Sequence, residues 1–224
     1  MVNKKRSIQQ IIEEQVKRWE AAKPKEKEIE ERGVTVITVS REPGSGGKLV
    51  AKGIAEKLGF DLFHQEVINE MAESAKAKTM LLETLDEKGL SVIDDLVSAI
   101  VYERHLWPDE YLKHLMKVVG TIGKHGHAVV VGRGANFILS KGKIFRVRII
   151  APLDLRIKNV MREHGTLEDE TKKRILRTES NRRAFIRKYF NANITDPKNY
   201  DFILNTGTLS IDAAVNSVAG AMGT

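Results

Sequence analysis

Apolar residues recur along this chain with two different periods, and the alternation between them lays out the fold. Ile8, Ile11, Ile12, Val16 and Trp19 stand at helical spacing behind Ser7, which predicts an amphipathic helix over 7–22 with a serine N-cap. The run Lys23-Pro24-Lys25-Glu26-Lys27 ends that pattern and reads as a solvated linker up to Gly33. Val34, Val36, Ile37 and Val39 then form a short apolar run suited to a buried parallel strand over 34–40. Leu49, Val50, Ala51, Ile54, Ala55 and Leu58 return to the helical period and predict a helix over 47–58. Four further short runs predict strands at 59–63, 128–132, 145–150 and 201–205. Helical patterns fill 66–75, 78–124 with a break near Trp107-Pro108, 153–164, 167–190 and 210–222.

Strands separated by helices imply an α/β fold whose mostly parallel five-stranded sheet is covered on both faces. In such sheets ligands bind beyond the carboxyl ends of the strands. The 224 residues suffice for one good-sized core with an appendage, here a helical arm and linker over 1–32 and a domain over 33–224. The arm reads as a surface-packed helix, with a partner or dimer contact as the alternative. Hydrophobic content of 42% beside 30% charged residues describes a globular chain and argues against disorder. No apolar run approaches the ~18 residues of a membrane helix. Met1-Val2-Asn3-Lys4-Lys5-Arg6 lacks the apolar core of a signal peptide behind it. The chain has no cysteine, which excludes disulfides and thiolate metal sites and makes a cytoplasmic location the expectation.

The net charge of +7 suits nucleic acid, an anionic surface or a small polyanion. Its distribution narrows the choice. Residues 153–190 carry eleven Lys/Arg against six Asp/Glu, so +5 of the +7 lies in one arginine-rich, helical stretch. Planar guanidinium donors in that number suit phosphate. Aromatic interleaving, zinc spacing and a recognisable nucleic-acid module are all missing, so no specific nucleic-acid partner is expected.

The stretch Arg41-Glu42-Pro43-Gly44-Ser45-Gly46-Gly47-Lys48 joins the first strand to its helix. A strand feeding a glycine turn into a helix N-terminus aims amide N–H groups and the positive end of the helix dipole at one place, which suits a phosphate. The common phosphate loop is G-x-x-x-x-G-K-[ST]. Counting back from Gly47 puts Glu42 in the first-glycine position, with Leu49 after Lys48 where a hydroxyl is usual. Counting from Gly46 puts Gly47 in the lysine slot. A ligand-free tight connection is the bland alternative, and the three glycines, lysine and flanking arginine favour the phosphate.

Other residues fall at strand ends. Arg133, between Gly132 and Gly134, leaves the third strand at its carboxyl edge and is a candidate anion ligand. Arg174, Arg177 and Arg182 lie within about a half-circle of one helix, and Glu179 is placed to orient one guanidinium. With Arg156 and Arg162 of the preceding helix they suggest a basic hairpin, a lid over 156–190. Asn205 and Thr206 end the last strand and read equally as base or ribose contacts or as plain turn residues. His64 is a candidate substrate contact. No His/Asp/Glu spacing suggests a built-in metal site.

Taken together, Ser40–Gly47, Leu58–Phe63, Val130–Asn136, Ala151–Arg156 and Tyr200–Thr206 resemble the cytidylate kinase-like family of P-loop nucleoside monophosphate kinases, from about residue 34 to the end. The resemblance implies a three-layer P-loop NTPase-type fold with an arginine-rich helical lid, and the N-terminal helical extension lies outside it. It implies phosphoryl transfer from ATP, with Mg2+, to CMP or dCMP. It assigns the ATP phosphates to Gly44, Ser45, Gly46, Gly47 and Lys48, the acceptor phosphate to Arg41 and Arg133, and the transferring phosphoryl group to Arg177 and Arg182, with Arg174 beside them. It also shows departures: Gly47 in the lysine slot, Gly134 where an acidic residue often follows the arginine, and Glu179 in the position of an aspartate. A nucleotide-binding regulator with weak or no kinase activity is therefore the alternative, and a homo-oligomer remains open.

Overall fold

The structure, a computed structural model, describes residues 7–21, 34–106, 108–139 and 144–222. The expected linker at 23–33 and Trp107 lie outside the described residues. The described residues form two compact units, the first within 1–33 and 63–126, the second within 34–62 and 127–224.

In the second unit, β1 (Val36–Arg41) lies at the centre of a five-stranded sheet. With β2 (Asp61–Phe63), β3 (Ala128–Val131), β4 (Ile144–Ile150) and β5 (Phe202–Asn205) the order is β2-β3-β1-β4-β5. β1 pairs in parallel with β3, Val39 opposite Val131, and with β4, Arg41 opposite Ile149; β4 pairs in parallel with β5. The β-branched runs form strands because both of their faces are covered: Ile37, Val39, Val129 and Val131 are at most 1% exposed.

On one face α2 (Gly47–Leu58) and α10 (Ile211–Ala221) bury Val50, Ile54, Val215 and Val218 against Ile37, Val39, Val147 and Ile149. Each fully buried aliphatic side chain contributes about 1.5–3 kcal/mol. Gly53 lets these two helices close, since a Cβ there would meet Val215 Cγ2 at 2.6 Å. Downstream of β3 come the short α7 (Ala135–Ile138), then α8 (Leu153–His164) and α9 (Glu168–Phe190). α8 and α9 share a small core of Ile157, Val160 and Ile175.

The first unit is helical. Its α1 (Ile8–Ala21) begins with a reciprocal cap: Gln10 N donates to Ser7 Oγ at 3.1 Å and Ser7 N donates to Gln10 Oε1 at 2.8 Å. Ile12, Val16 and Trp19 are buried, as the period predicts. The pattern over 66–75 gives α3 (Gln65–Glu73), and the next helix, expected from 78, starts at residue 75 as α4 (Ala75–Leu82). Ser74 stops the first and caps the second, its Oγ accepting from Ala77 N at 3.2 Å. Asp86 and Asp109 cap α5 (Glu87–Glu103) and α6 (Glu110–His125) in the same way.

The indole of Trp19 stacks on His125 with ring centroids 4.2 Å apart and on Phe63 at 5.8 Å. His125 Nε2 lies 2.8 Å from Thr84 Oγ1. Burial, reinforced by Lys124, pushes the imidazole down from 6.5 to about 4. Below pH 6.5 the unfolded chain therefore takes up a proton that the folded unit refuses until about pH 4. Stability falls as pH drops through that window and levels off beneath it. The pH dependence of the urea midpoint between pH 7 and pH 4 should accordingly be shallower in His125→Gln than in the wild type, and equal slopes would refute the assignment.

Candidate phosphate-binding site

β1 delivers the glycine turn at its carboxyl end, and α2 starts on its far side. Gly44 and Gly46 have φ of 78° and 74°, which only glycine adopts without strain. A Cβ at Gly44 would also lie 2.5 Å from the Arg156 carbonyl oxygen. The turn is held by its own carbonyls. Ser45, 1% exposed, donates through its hydroxyl to Glu42 O at 2.9 Å. Thr206 Oγ1 donates to Ser45 O at 2.8 Å, and Asn159 Nδ2 donates to Gly44 O at 2.9 Å. With those oxygens occupied by protein donors, the turn and the helix start offer amide hydrogens and a positive dipole end to a ligand.

A cavity of about 850 Å³ opens over this turn. Its walls are residues 41–49, the facing sides of α8 and α9, and the turn between β5 and α10. Lys48, Arg162, Arg174 and Arg182 converge on it from the three helices, together with Arg41. Its carboxylates are Glu42 and Glu163. Leu49, Leu155, Val160, Ile175, Leu209 and Ile211 supply apolar wall.

Other expected residues lie elsewhere. Arg177 is exposed on α9 and does not line the cavity. The face toward the cavity runs through Ile175, Thr178 and Arg182, and Arg177 is about 200° round the helix from Ile175. Its three-residue spacing from Arg174 is therefore a weaker guide than the buried stripe. Arg156 is 6% exposed and points inward: Nε donates to Ala151 O at 3.0 Å and Nη1 to Glu179 Oε1 at 2.9 Å. It binds the two helices of the hairpin to the sheet edge and is no part of the cavity lining. Asn205 also turns away, its Oδ1 accepting from Gly207 N at 2.9 Å. Thr206 lines the cavity, but its hydroxyl is engaged with the backbone of the turn. His64 precedes α3 in the first unit.

Arg133 is outside the cavity wall. It has φ of 53°, and its guanidinium carbon sits 5.6 Å over the Phe185 ring of α9. Its Nε is buried and makes no hydrogen bond. A Cβ at Gly132 would collide with the Arg41 guanidinium, so the glycine brings Arg41 close to the backbone beside Arg133.

Sequence reasoning passed over Glu42, Arg148 and Asn159. Glu42 Oε2 accepts from Ala151 N at 3.1 Å and lies 3.6 Å from Arg156 Nε, while its Oε1 is 3.8 Å from Arg148 Nη2. Arg148, 6% exposed, donates to Ser40 Oγ at 3.1 Å and Tyr200 Oη at 3.3 Å. An acidic residue in the first-glycine position was the available signal. Nothing adjacent in the chain identifies its basic partners, which come from β4 and α8.

The lysine slot is physically closed. A Cβ at Gly47 would lie 2.5 Å from Arg41 Cβ and 3.3 Å from Ile149 Cβ. Lys48 stands where the usual hydroxyl would be, and Glu42 is tied to Ala151 N beside two arginines. Among the described residues no group of three or more His, Asp or Glu is placed to hold a metal ion. This donor set does not build the magnesium site of the common phosphate loop.

The profile of the cytidylate kinase-like family matches residues 36–208. A cytidylate kinase of Methanocaldococcus jannaschii is 25% identical over 190 residues, covering 84% of this chain and 97% of that protein. One of Natronomonas pharaonis is 28% identical over 196 residues, covering 82% and 91%. Among solved structures, an uncharacterised protein of Eubacterium ventriosum superposes with a TM-score of 0.64 at 21% identity, covering 84% of this chain and 98% of its own. The parallel sheet, the glycine turn and these matches bear out the expected three-layer P-loop fold.

Because Arg41 Cβ blocks position 47, Gly47→Lys, which fills the lysine slot of the common motif, is expected to lower the melting temperature and weaken ATP binding. Adding Arg41→Gly should recover part of both. A stable Gly47→Lys protein with tighter ATP binding in calorimetry would contradict the steric argument.

Proposed function

The chain belongs to the cytidylate kinase-like family, and we propose that it transfers the terminal phosphoryl group of ATP to a nucleoside monophosphate, with CMP or dCMP as acceptor. One observation carries the reading: the amides of the glycine turn and the cations Lys48, Arg162, Arg174 and Arg182 gather on one cavity large enough for a nucleotide. In this reading the donor phosphates lie on Gly44 to Lys48, and the base rests on the apolar wall around Leu209 and Ile211. Magnesium, in this reading, enters with the nucleotide as its counter-ion, the described residues offering no cluster of three His, Asp or Glu to hold it. Arg41 and Arg133 take the acceptor phosphate, whose charge would satisfy the buried Arg133 Nε.

The reaction forms a bond between an acceptor phosphate oxygen and the γ-phosphorus and breaks the bond to the β–γ bridging oxygen, releasing ADP. Little covalent work falls to the protein; alignment and neutralisation of the developing charge do most of it. Arg182 and Arg174 are the groups placed for that neutralisation. Lys48 holds the donor phosphates from the start of α2. Arg177 enters only if α9 rotates. Among the described residues no helix is long and apolar enough to cross a membrane, and a cytoplasmic location fits nucleotide substrates.

The closed lysine slot favours one second reading, a nucleotide-binding regulator that turns over little or not at all. ADP release measured over a panel of nucleoside monophosphates and nucleosides separates the two. The kinase reading expects turnover dependent on a pyrimidine monophosphate. Arg182→Ala should lower kcat by about 10²–10³-fold, as loss of a single charge-stabilising donor does. Lys48→Ala should weaken ATP binding as well. Saturable ATP binding with no acceptor-dependent ADP release would leave the regulator.

A further inference from the structure

We infer that Glu42, Arg156 and Glu179 are positioning residues, a buried ionic relay that couples the glycine turn to the lid helix and sets Arg182 over it. The inference rests on the kinase reading for its consequence in catalysis, though its geometry stands alone.

The relay is a closed circuit. Glu42 opens the turn, and its Oε2 lies 3.6 Å from Arg156 Nε. Arg156 Nη1 meets Glu179 Oε1 at 2.9 Å. Glu179 precedes Arg182 by three residues, so the two share a face of α9. Arg182 Nη1 donates to Arg41 O at 2.7 Å, and Arg41 is bonded to Glu42. Every side chain in the ionic chain is largely out of solvent: 21% exposed for Glu42, 8% for Arg156 and 14% for Glu179.

Two physical points favour a positioning role. A carboxylate next to a polyphosphate cradle repels the ligand unless its charge is matched, and Arg156 and Arg148 match it. Buried ion pairs also add little net stability compared with apolar packing, so their value lies in fixing one geometry among several. Here the geometry fixed is the distance between the turn and the lid arginine. Arg156 reinforces it, because its backbone carbonyl packs directly under Gly44. Arg156 and Glu179 do not line the cavity, and Glu42, which does, has its carboxylate engaged by Ala151 N and Arg156, so their influence passes through Arg182 and the turn.

The test uses Glu179→Ala and Glu42→Gln in the full chain, the second keeping an oxygen for Ala151 N. Steady-state kinetics with ATP and the best acceptor should show kcat reduced about 10–100-fold, the effect of sub-ångström to ångström misplacement. ATP affinity should stay within about threefold, because Thr206 and Asn159 still hold the turn. Combining the two changes should cost no more than about twofold beyond the worse single change, the mark of a shared relay. Hydrogen exchange at the Ser45, Leu49 and Val50 amides should accelerate in Glu179→Ala, although residue 179 lies on another helix. A rise in acceptor KM at unchanged kcat would make Glu179 a substrate contact and overturn the relay. So would unaltered exchange in the turn. If Glu179→Ala does not fold, Glu42→Gln decides through exchange at the α9 amides around Arg182. A wild-type protein without turnover on any acceptor defeats the kinase reading alone, and the exchange result then still judges the relay.

Discussion

Everything at the candidate site depends on the way the glycine turn is held by its carbonyl oxygens. A loop that receives a polyanion must keep its N–H groups available, and a short loop cannot do so while satisfying them internally. Here Ser45, Asn159 and Thr206 tie back the oxygens of Glu42, Gly44 and Ser45. Asn159 comes from α8 and Thr206 from the end of β5, so the cradle is only as well ordered as the sheet and the hairpin around it. That is why the strand order matters for chemistry: β4 next to β1, and β5 next to β4, bring Ala151 and Thr206 within reach of the turn.

The same crowding explains the unusual motif. At the start of α2 there is room for one stem, and Arg41 occupies it, leaving position 47 without a side chain. The cation that most phosphate loops carry on the helix is thus displaced, in part to Lys48 and in part to arginines from α9. Charge supplied from a separate helix needs a device to register it, and the Glu42–Arg156–Glu179 contacts are placed to do this. The atypical loop and the ionic relay are two aspects of one solution to a steric conflict.

Much of the fold was legible in the sequence because its strands are β-branched runs buried on both faces, a pattern with few other outcomes. The glycine turn and the convergence of Lys48, Arg174 and Arg182 were legible for a similar reason, since strand–glycine–helix order fixes where helix N-termini point. What was not legible depends on contacts remote in the chain. Arg156 looked like a lid cation because its helix is charged, and only the register of α8 against α9 shows it facing Glu179. Arg177 looked equivalent to Arg174 because periodicity alone does not say which stripe faces inward. The break after residue 75 was legible, but Ser74 as the residue that makes it was not, since a cap matters only once the chain has turned. Residues whose role is to hold another residue carry no motif of their own.

Arg133 carries one further implication. Its left-handed backbone, with φ of 53°, imposes a standing strain of about 1–2 kcal/mol on a side chain that has a Cβ. Glycine at that loop tip would relax the strain and remove the guanidinium to which we assign the acceptor phosphate. On that assignment thermal robustness and ligand capture pull in opposite directions at this residue, so a search for hardier variants of this protein would be drawn to the very position where hardiness erodes the proposed chemistry.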